Sequence, residues 1–196
     1  MKENAKTITV YAASSSQLDP VYYEAATRLG ALLAGHGMVC VNGAGKKGLM
    51  GALNDSVMAS GGEVCGVIPR FMVEEGWGSD SLSKLIVTET MHERKEIMAR
   101  MSDACVALPG GVGTLEELLE IITWKQLGLY SKPIVILNVN NYYGDLLAML
   151  RKAASENFIH SKHTEIWHVA GTPEEALAVV SKQPQWESNP RSFAAL

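Results

Sequence analysis

Leu108-Pro109-Gly110-Gly111-Val112-Gly113-Thr114-Leu115-Glu116-Glu117 is the stretch that decides the fold. It follows an apolar run over residues 104–108, which predicts a short buried strand, and it leads into a helix expected to begin near Thr114. The glycines let the backbone approach a ligand closely. Thr114 and Glu117 have the spacing of a capping box, and a helix N-terminus of this kind suits a phosphate. The alternative is a tight, well-capped strand-to-helix turn, and the local pattern alone does not separate the two.

Composition is that of an ordinary globular chain. The 196 residues are 47% hydrophobic and 19% charged, which fits a single α/β domain over residues 1–182 followed by a tail at 183–196. The net charge is −4 without a basic block, so we expect no nucleic-acid partner. No apolar run has the length of a membrane span, and residues 1–6 carry no signal core, so no membrane partner and a cytoplasmic location are expected.

Neither the cysteines nor the histidines have the pattern of a metal site. Each cysteine lies in its own apolar run, which predicts free core thiols rather than disulfides or metal ligands. They are Cys40, Cys65 and Cys105. Three histidines lie close together in sequence, but no carboxylate is arranged around them. They are His160, His163 and His168. We therefore expect no metal.

Strands alternate with helices along the chain. Strands are predicted at residues 7–13, 38–41, 63–68, 85–88, 104–108, 133–139 and 166–169. The connection over residues 70–84 is irregular and long enough to be functional, for example as a lid. Such alternation predicts an α/β fold, a Rossmann-like, doubly wound parallel sheet with helices on both faces. Right-handed crossovers then place every strand-to-helix turn at one edge of the sheet.

A second glycine turn follows the second strand. Gly43-Ala44-Gly45-Lys46-Lys47-Gly48 matches the G-x-G-x-x-G dinucleotide fingerprint, and Glu63 lies about where a ribose-binding acid is expected. The match is weak because the fingerprint normally follows the first strand. A P-loop is excluded, since Leu49 and Met50 replace its lysine and hydroxyl residue. Ser14 follows the first strand, so three turns converge on a site for a phosphorylated ligand, most naturally a nucleotide.

Arg94 lies on an apolar helix face. The predicted helix at residues 91–101 places Met91, Met98 and Met101 on one stripe, with Arg94 in its middle. A buried guanidinium must be paired or must bind an anion, because an unpaired one would cost several kcal/mol. The alternative is a snorkelling side chain at the edge of the stripe. Lys95 either serves the same anion or is solvated.

The helix after the signature turn is apolar on two sides. The first face holds Leu115, Leu118, Leu119 and Ile122. The second holds Ile121, Trp124 and Leu127, so the helix is either deeply buried or shared with another subunit, and we expect a homodimer. Glu117 beside that second face would be a carboxylate in a dry setting. The alternative is that the acidic residues only complement the helix dipole.

These stretches resemble the LOG ("lonely guy") family, phosphoribohydrolases that activate cytokinins. Residues 109–117 fit its PGGxGTxxE signature, and Met91-His92-Glu93-Arg94-Lys95 fits its MHxRK segment. Gly48-Leu49-Met50-Gly51, Gly66-Val67-Ile68-Pro69 and Ile122-Thr123-Trp124 occur at the family's spacing. The likeness covers roughly residues 7–180.

The resemblance implies a Rossmann-type homodimer that cleaves the N-glycosidic bond of N6-modified AMP, or of AMP itself. The products would be the free base and ribose 5-phosphate, without a metal or cofactor. Arg94 and a signature glutamate, in first place Glu117 and otherwise Glu116, would be catalytic; the proton donor to the base stays open. The substrate-binding residues implied are Ser14, Gly43, Gly45, Met91, Lys95, Gly110, Gly111, Gly113, Thr114, Glu116 and Thr123.

The sequence departs from the family at a few positions. Ala44 stands where a glycine is usual, Lys46 and Lys47 where small residues are usual, and Ala13 where a glycine is common. These changes concern phosphate geometry and base preference more than the reaction. We reject the label "lysine decarboxylase", because nothing argues for a pyridoxal site. The alternative function is a non-catalytic carrier of a nucleotide or pterin cofactor, which needs the glycine turns but not Arg94 together with a catalytic glutamate.

Overall fold

The computed structural model describes residues 5–182, which form one parallel sheet covered by helices. The strands are β1 (Thr7–Tyr11), β2 (Val39–Asn42), β3 (Glu63–Pro69), β4 (Lys84–Thr88), β5 (Ala104–Ala107), β6 (Ile134–Leu137) and β7 (His168–Ala170). The helices are α1 (Pro20–Gly35), α2 (Gly48–Ala59), α3 (Arg70–Glu74), α4 (Met91–Met101), α5 (Val112–Gln126), α6 (Gly144–Ser155) and α7 (Pro173–Lys182). Short 3₁₀ turns lie at Val139–Asn141 and Ser161–Glu165.

The strand order is β4-β3-β2-β1-β5-β6-β7, and all six pairings are parallel. The chain first builds outward from β1 through β4 and then returns to add β5 on the other side of β1. This reversal is the topological switch point of a doubly wound sheet, where ligands bind beyond the carboxyl ends of the strands. The fold class predicted from the sequence is confirmed.

Side chains alternate between the two faces of the sheet, as the period of a strand requires. In β1, Ile8 and Val10 pack with α1, α2 and α7, whereas Tyr11 packs with α4, α5 and α6 on the other face. Two local signals also explain helix starts. Asp19 caps α1 by accepting from the amide of Val21 at 3.0 Å, and Thr90 caps α4.

Some local predictions need correction. Strand β1 ends at Tyr11 rather than residue 13, and the irregular segment at 70–84 begins with the short helix α3. The second apolar face of α5 is not a continuous free surface, because Ile121 is buried in the core of its own chain while Leu127 is 48% exposed. The first face is divided too: Leu118 and Ile122 are buried, but Leu119 is exposed.

The composition-based expectations concern thiols, metals and membranes. All three cysteines are buried and free, as predicted. Within residues 5–182, no group of three or more His, Cys, Asp or Glu side chains is arranged to hold a metal ion. None of the described helices is long and apolar enough to cross a membrane. The predicted tail at 183–196 lies outside the described residues.

Candidate active site

Two buried side chains of opposite charge meet at the carboxyl edge of the sheet. Arg94, on α4, donates from Nη1 to Oε1 of Glu117, on α5, at 2.8 Å. Its Nε donates to the carbonyl oxygen of Val67, in β3, at 3.1 Å. The Arg94 and Glu117 side chains are only 7% and 8% exposed. The guanidinium that the sequence placed on an apolar stripe is therefore buried and paired rather than snorkelling.

Burial and the contact with Arg94 shift the pKa of Glu117 in opposite directions. Burial raises the pKa of this carboxyl above its ordinary value of 4.5, and the charge and hydrogen bond of Arg94 offset only part of that rise. A buried ion pair is a weak source of stability, because desolvating two charges costs about as much as their attraction returns. A buried carboxyl with a raised pKa beside an arginine is instead typical of a functional site.

Gly43 leaves the room that Arg94 occupies. A Cβ built on Gly43 would lie 2.0 Å from Nη2 of Arg94. The glycine turn after β2 thus packs directly against the guanidinium. This contact explains why residue 43 is a glycine, although its φ is not in the left-handed region.

The buried side-chain amides of two asparagines stabilise the rest of that turn. Ala44 has φ 61°, a left-handed conformation that a glycine adopts more easily. Its amide donates to Oδ1 of Asn42 at 2.9 Å, and Asn42 donates to Asn54 at 2.6 Å. Asn54 in turn donates to the carbonyl oxygen of Gly45 at 3.2 Å. The two asparagines compensate for the missing glycine, and the sequence analysis did not identify them. An Asn at the end of an apolar strand was the signal.

The weak dinucleotide interpretation of this turn is not supported. Glu63, the candidate ribose-binding acid, is the first residue of β3 and lies at the amino edge of the sheet. The glycine turn lies at the opposite, carboxyl edge. The first turn of α2, which follows the glycine turn, contacts the segment after β1, because the amide of Met50 donates to the carbonyl oxygen of Ala13 at 3.2 Å.

The signature turn starts its helix earlier than predicted. Helix α5 begins at Val112 with Gly111 as N-cap, so no side chain caps it. Thr114 is already in the first turn, where its side chain packs under Gly110: a Cβ on Gly110 would lie 2.1 Å from Oγ1 of Thr114. The predicted capping box is therefore wrong. Glu117 contacts Arg94 instead, and within residues 5–182 no side chain accepts from the first amides of α5.

Lys95 is held by two carboxylates of α5. It donates to Glu116 and, at 3.0 Å, to Glu120, while its own side chain is 8% exposed. Burial is the largest single effect and would lower the pKa of Lys95, but the hydrogen bonds and charges of Glu116 and Glu120 together outweigh burial and raise it. Lys95 and Glu116, both predicted to bind substrate, therefore contact each other. Glu120, which was not among the predicted site residues, is the second partner.

The other predicted binding residues fall into two groups. Ser14 is exposed just after β1, Met91 is the half-buried first residue of α4, and the glycines of the signature turn adjoin β1 through Ala13, whose amide donates to the carbonyl oxygen of Pro109 at 3.2 Å. These residues lie at the same edge as the ion pair. Thr123 is separate: it is exposed near the end of α5, and its hydroxyl donates to the carbonyl oxygen of Leu119 within the helix.

The fold and the site together define a class of protein: a Rossmann-like α/β protein with a buried arginine–glutamate pair at the carboxyl edge of its sheet. Residues 50–180 match the family model described as "Possible lysine decarboxylase". The chain is 45% identical over 158 residues to the cytokinin riboside 5'-monophosphate phosphoribohydrolase LOG7 of Arabidopsis thaliana, covering 81% of this chain and 73% of the relative. It is 44% identical over 170 residues to the probable cytokinin riboside 5'-monophosphate phosphoribohydrolase LOGL1 of rice, Oryza sativa subsp. japonica, covering 87% and 76%. The chain belongs to the LOG family.

A solved structure shows the same fold at lower identity. The molybdenum cofactor carrier protein of Chlamydomonas reinhardtii superposes with a TM-score of 0.70 over 91% of this chain and 97% of that one, at 24% identity. At this identity the likeness concerns the fold alone. The relatives at 39–45% identity named as phosphoribohydrolases support a hydrolase of the LOG type.

Proposed function

We propose that this protein hydrolyses the N-glycosidic bond of adenosine 5'-monophosphate or its N6-modified forms. Water adds to C1 of the ribose as the bond from C1 to the base nitrogen breaks. The oxygen of water stays on the sugar, giving ribose 5-phosphate, and a proton passes to the base. The balance needs no redox partner, and we propose that no cofactor takes part.

The observation that carries the proposal is the buried contact between Arg94 and Glu117. Glycoside hydrolysis passes through an oxocarbenium-like state, and a nearby carboxylate stabilises its charge or activates water. Arg94 holds this carboxylate in place through a hydrogen bond. It also lowers the pKa of the carboxyl, against the effect of burial, and so favours the ionised form. A carrier would need the turns for its ligand but would gain nothing from this pair.

The 5'-phosphate is assigned to the turns at the carboxyl edge. The first amides of α5 and the positive end of its dipole favour a phosphate, and Gly111 and Gly113 keep the approach open, since a Cβ at either position would meet nothing within 4 Å. The same relatives whose names specify a riboside 5'-monophosphate share 44–45% identity with this chain. We therefore propose that nucleoside 5'-monophosphates are substrates and nucleosides are not.

The test is to incubate the pure protein with AMP, N6-isopentenyl-AMP and adenosine, and to assay ribose 5-phosphate, ribose and free base. We expect release from the two monophosphates, with kcat/KM for adenosine far lower. Equal kcat/KM for AMP and adenosine would refute the phosphate assignment. Tight binding of AMP without any product would refute the reaction and support the carrier.

Glu117→Gln tests the role of the carboxylate. It keeps the size of the side chain but removes its charge, so kcat should fall by roughly two to three orders of magnitude while KM changes much less. Glu116→Gln is the matched control, because Glu116 is the neighbouring glutamate but is 49% exposed and paired with Lys95. Near-normal turnover of Glu117→Gln with an inactive Glu116→Gln would transfer the role to Glu116.

A further inference from the structure

Two consecutive tyrosines from the connection between β6 and α6 hold the signature turn. The hydroxyl of Tyr142 donates to the carbonyl oxygen of Gly110 at 2.6 Å. The hydroxyl of Tyr143 donates to the carbonyl oxygen of Leu108, also at 2.6 Å. These two carbonyls flank Pro109. The turn is thus fixed by side chains that lie 32 and 35 residues further along the chain.

With these two bonds, every carbonyl oxygen of the turn accepts a hydrogen bond from the protein itself. The acceptors and donors are Leu108 from Tyr143, Pro109 from the amide of Ala13, Gly110 from Tyr142, and Gly111 from the amide of Leu115. A carbonyl oxygen that faced a phosphate would repel it, whereas the amides of the same backbone attract it. Because each carbonyl oxygen is hydrogen-bonded to a donor in the protein, it points away from the ligand, and the backbone amides remain available to bind the phosphate.

Tyr142 differs from Tyr143 in how it is held. Tyr143 is 1% exposed and belongs to the core, but Tyr142 is 43% exposed. The ring of Tyr142 packs edge to face against Tyr22 of α1, with centroids 5.9 Å apart, and against Tyr143, at 5.0 Å. Its hydroxyl can therefore be removed without opening a cavity in the core.

The backbone before Tyr142 is strained. Asn140 and Asn141 have φ values of 50° and 55°, which are left-handed conformations that non-glycine residues seldom adopt. Nearby, Asn138 accepts from the amide of Tyr143 at 2.7 Å and donates to Asn141 at 3.2 Å. Strain of this kind persists only where surrounding contacts over-determine it, and it concentrates near functional sites.

We propose that Tyr142 is a positioning residue for phosphate binding, an inference that rests on the proposed function. Tyr142 acts through Gly110: its hydroxyl fixes the peptide so that the carbonyl points to the tyrosine and the following amides point to the phosphate. Without the hydroxyl, the Gly110 peptide can rotate and present its oxygen to the ligand. The loss then falls on phosphate affinity, whereas the chemistry at C1 depends on Glu117.

The experiment compares Tyr142→Phe with the wild type and with Tyr22→Phe, which leaves the Tyr142 hydroxyl in place. Calorimetry gives Kd for ribose 5-phosphate, the proposed product, and for adenosine as the phosphate-free comparison, and steady-state assays with AMP give KM and kcat. For Tyr142→Phe we expect Kd and KM to rise about fivefold to tenfold, the usual effect of losing one hydrogen bond. We expect kcat to stay within about twofold, and Tyr22→Phe to match the wild type.

The outcomes separate this inference from the proposed function. Unchanged Kd and KM in Tyr142→Phe, or a fall in kcat at unchanged KM, would overturn the inference. So would an equal loss of affinity for adenosine, which carries no phosphate. A wild type that binds AMP without hydrolysing it refutes the proposed reaction, yet the Kd comparison still tests Tyr142. A wild type that binds neither phosphate compound contradicts both.

Discussion

The guanidinium of Arg94 packs against Gly43 so closely that a Cβ at position 43 would lie 2.0 Å from Nη2 of the arginine. The atom in conflict is the end of a side chain rather than backbone. Arg94 can therefore yield, but only by leaving Glu117 and the carbonyl oxygen of Val67. The glycine thus sets the geometry of the ion pair.

Gly43→Ala should therefore behave as a displacement of Arg94. We expect kcat/KM for AMP to fall roughly a hundredfold, the scale of a misplacement of about 1 Å. The melting temperature should fall as well, by roughly 10 °C, because a displaced Arg94 leaves the buried Glu117 carboxyl without its partner. Gly35→Ala is the matched control, since a Cβ there meets nothing within 4 Å. Full activity of a folded Gly43→Ala protein would contradict the assignment.

The pKa of Glu117 should lie above the ordinary 4.5, because burial outweighs the attraction of Arg94. If the ionised carboxylate is the active form, kcat/KM, which reports the free enzyme, must decline as pH falls through this raised pKa, so its acidic limb lies at higher pH than for an exposed glutamate. Arg94→Ala removes an effect that lowers the pKa, and the pKa should rise further. Carboxyl carbon NMR titration measures both.

Glu89 is an internal reference for that titration. The hydrogen bond and charge of exposed Arg70 lower its pKa, so Glu89 should titrate below 4.5 in the same spectra. The pKa of Glu89 should be the same in the Arg94→Ala variant as in the wild type. A Glu117 signal that titrates with Glu89, or that does not move in the Arg94 variant, would contradict the account of the pair.

The Lys95 cluster predicts strong non-additivity in stability. Glu116→Gln and Glu120→Gln each leave one carboxylate on Lys95, so each single change should cost about 1 kcal/mol of unfolding free energy. The double variant leaves the Lys95 ammonium without a counter-charge from α5, and its cost should exceed the sum of the two single costs. Urea unfolding gives all three values, and simple additivity would show that the two carboxylates act independently.

The homodimer stays a prediction, and the structure changes which residues should form it. Ile121 is occupied in the core, so we expect the shared surface to use Leu119 and Leu127, which are 39% and 48% exposed. Leu127→Glu should shift the protein toward monomer in light scattering. Met149→Glu, at a 62% exposed position on α6, should leave the mass unchanged. A wild type that is monomeric at micromolar concentration would refute the dimer.

Much of the fold followed from local pattern, but the strand order did not. Apolar runs alternating with amphipathic segments indicated a parallel sheet with two covered faces. Asp19 followed by Pro20 is a further local signal, for the start of α1. Nothing local indicates that β5 lies beside β1 rather than beside β4. That choice is made by packing between distant segments, and it places the turns after β1 and β5 side by side.

The candidate site was predictable as a set of residues but not as a set of contacts. Face periodicity indicated that Arg94 and Glu117 would be buried, yet their contact joins two helices and also needs the carbonyl oxygen of Val67. The helix start was wrong because the Thr114-to-Glu117 spacing imitates a capping box. A glycine N-cap gives no side-chain signal of its own, so the sequence pattern pointed to the nearest hydroxyl.

If the proposed phosphate binds at the start of α5, where none of the described side chains caps the helix, the lifetime of the protein depends on the supply of its ligand. An anion that satisfies the amides after Gly111 binds the folded chain and not the unfolded one, so it adds to the free energy of unfolding. At a hundredfold excess over Kd this addition is about 2.7 kcal/mol. Because proteases act on the transiently unfolded chain, degradation should slow when the nucleotide pool is full and accelerate when it is depleted.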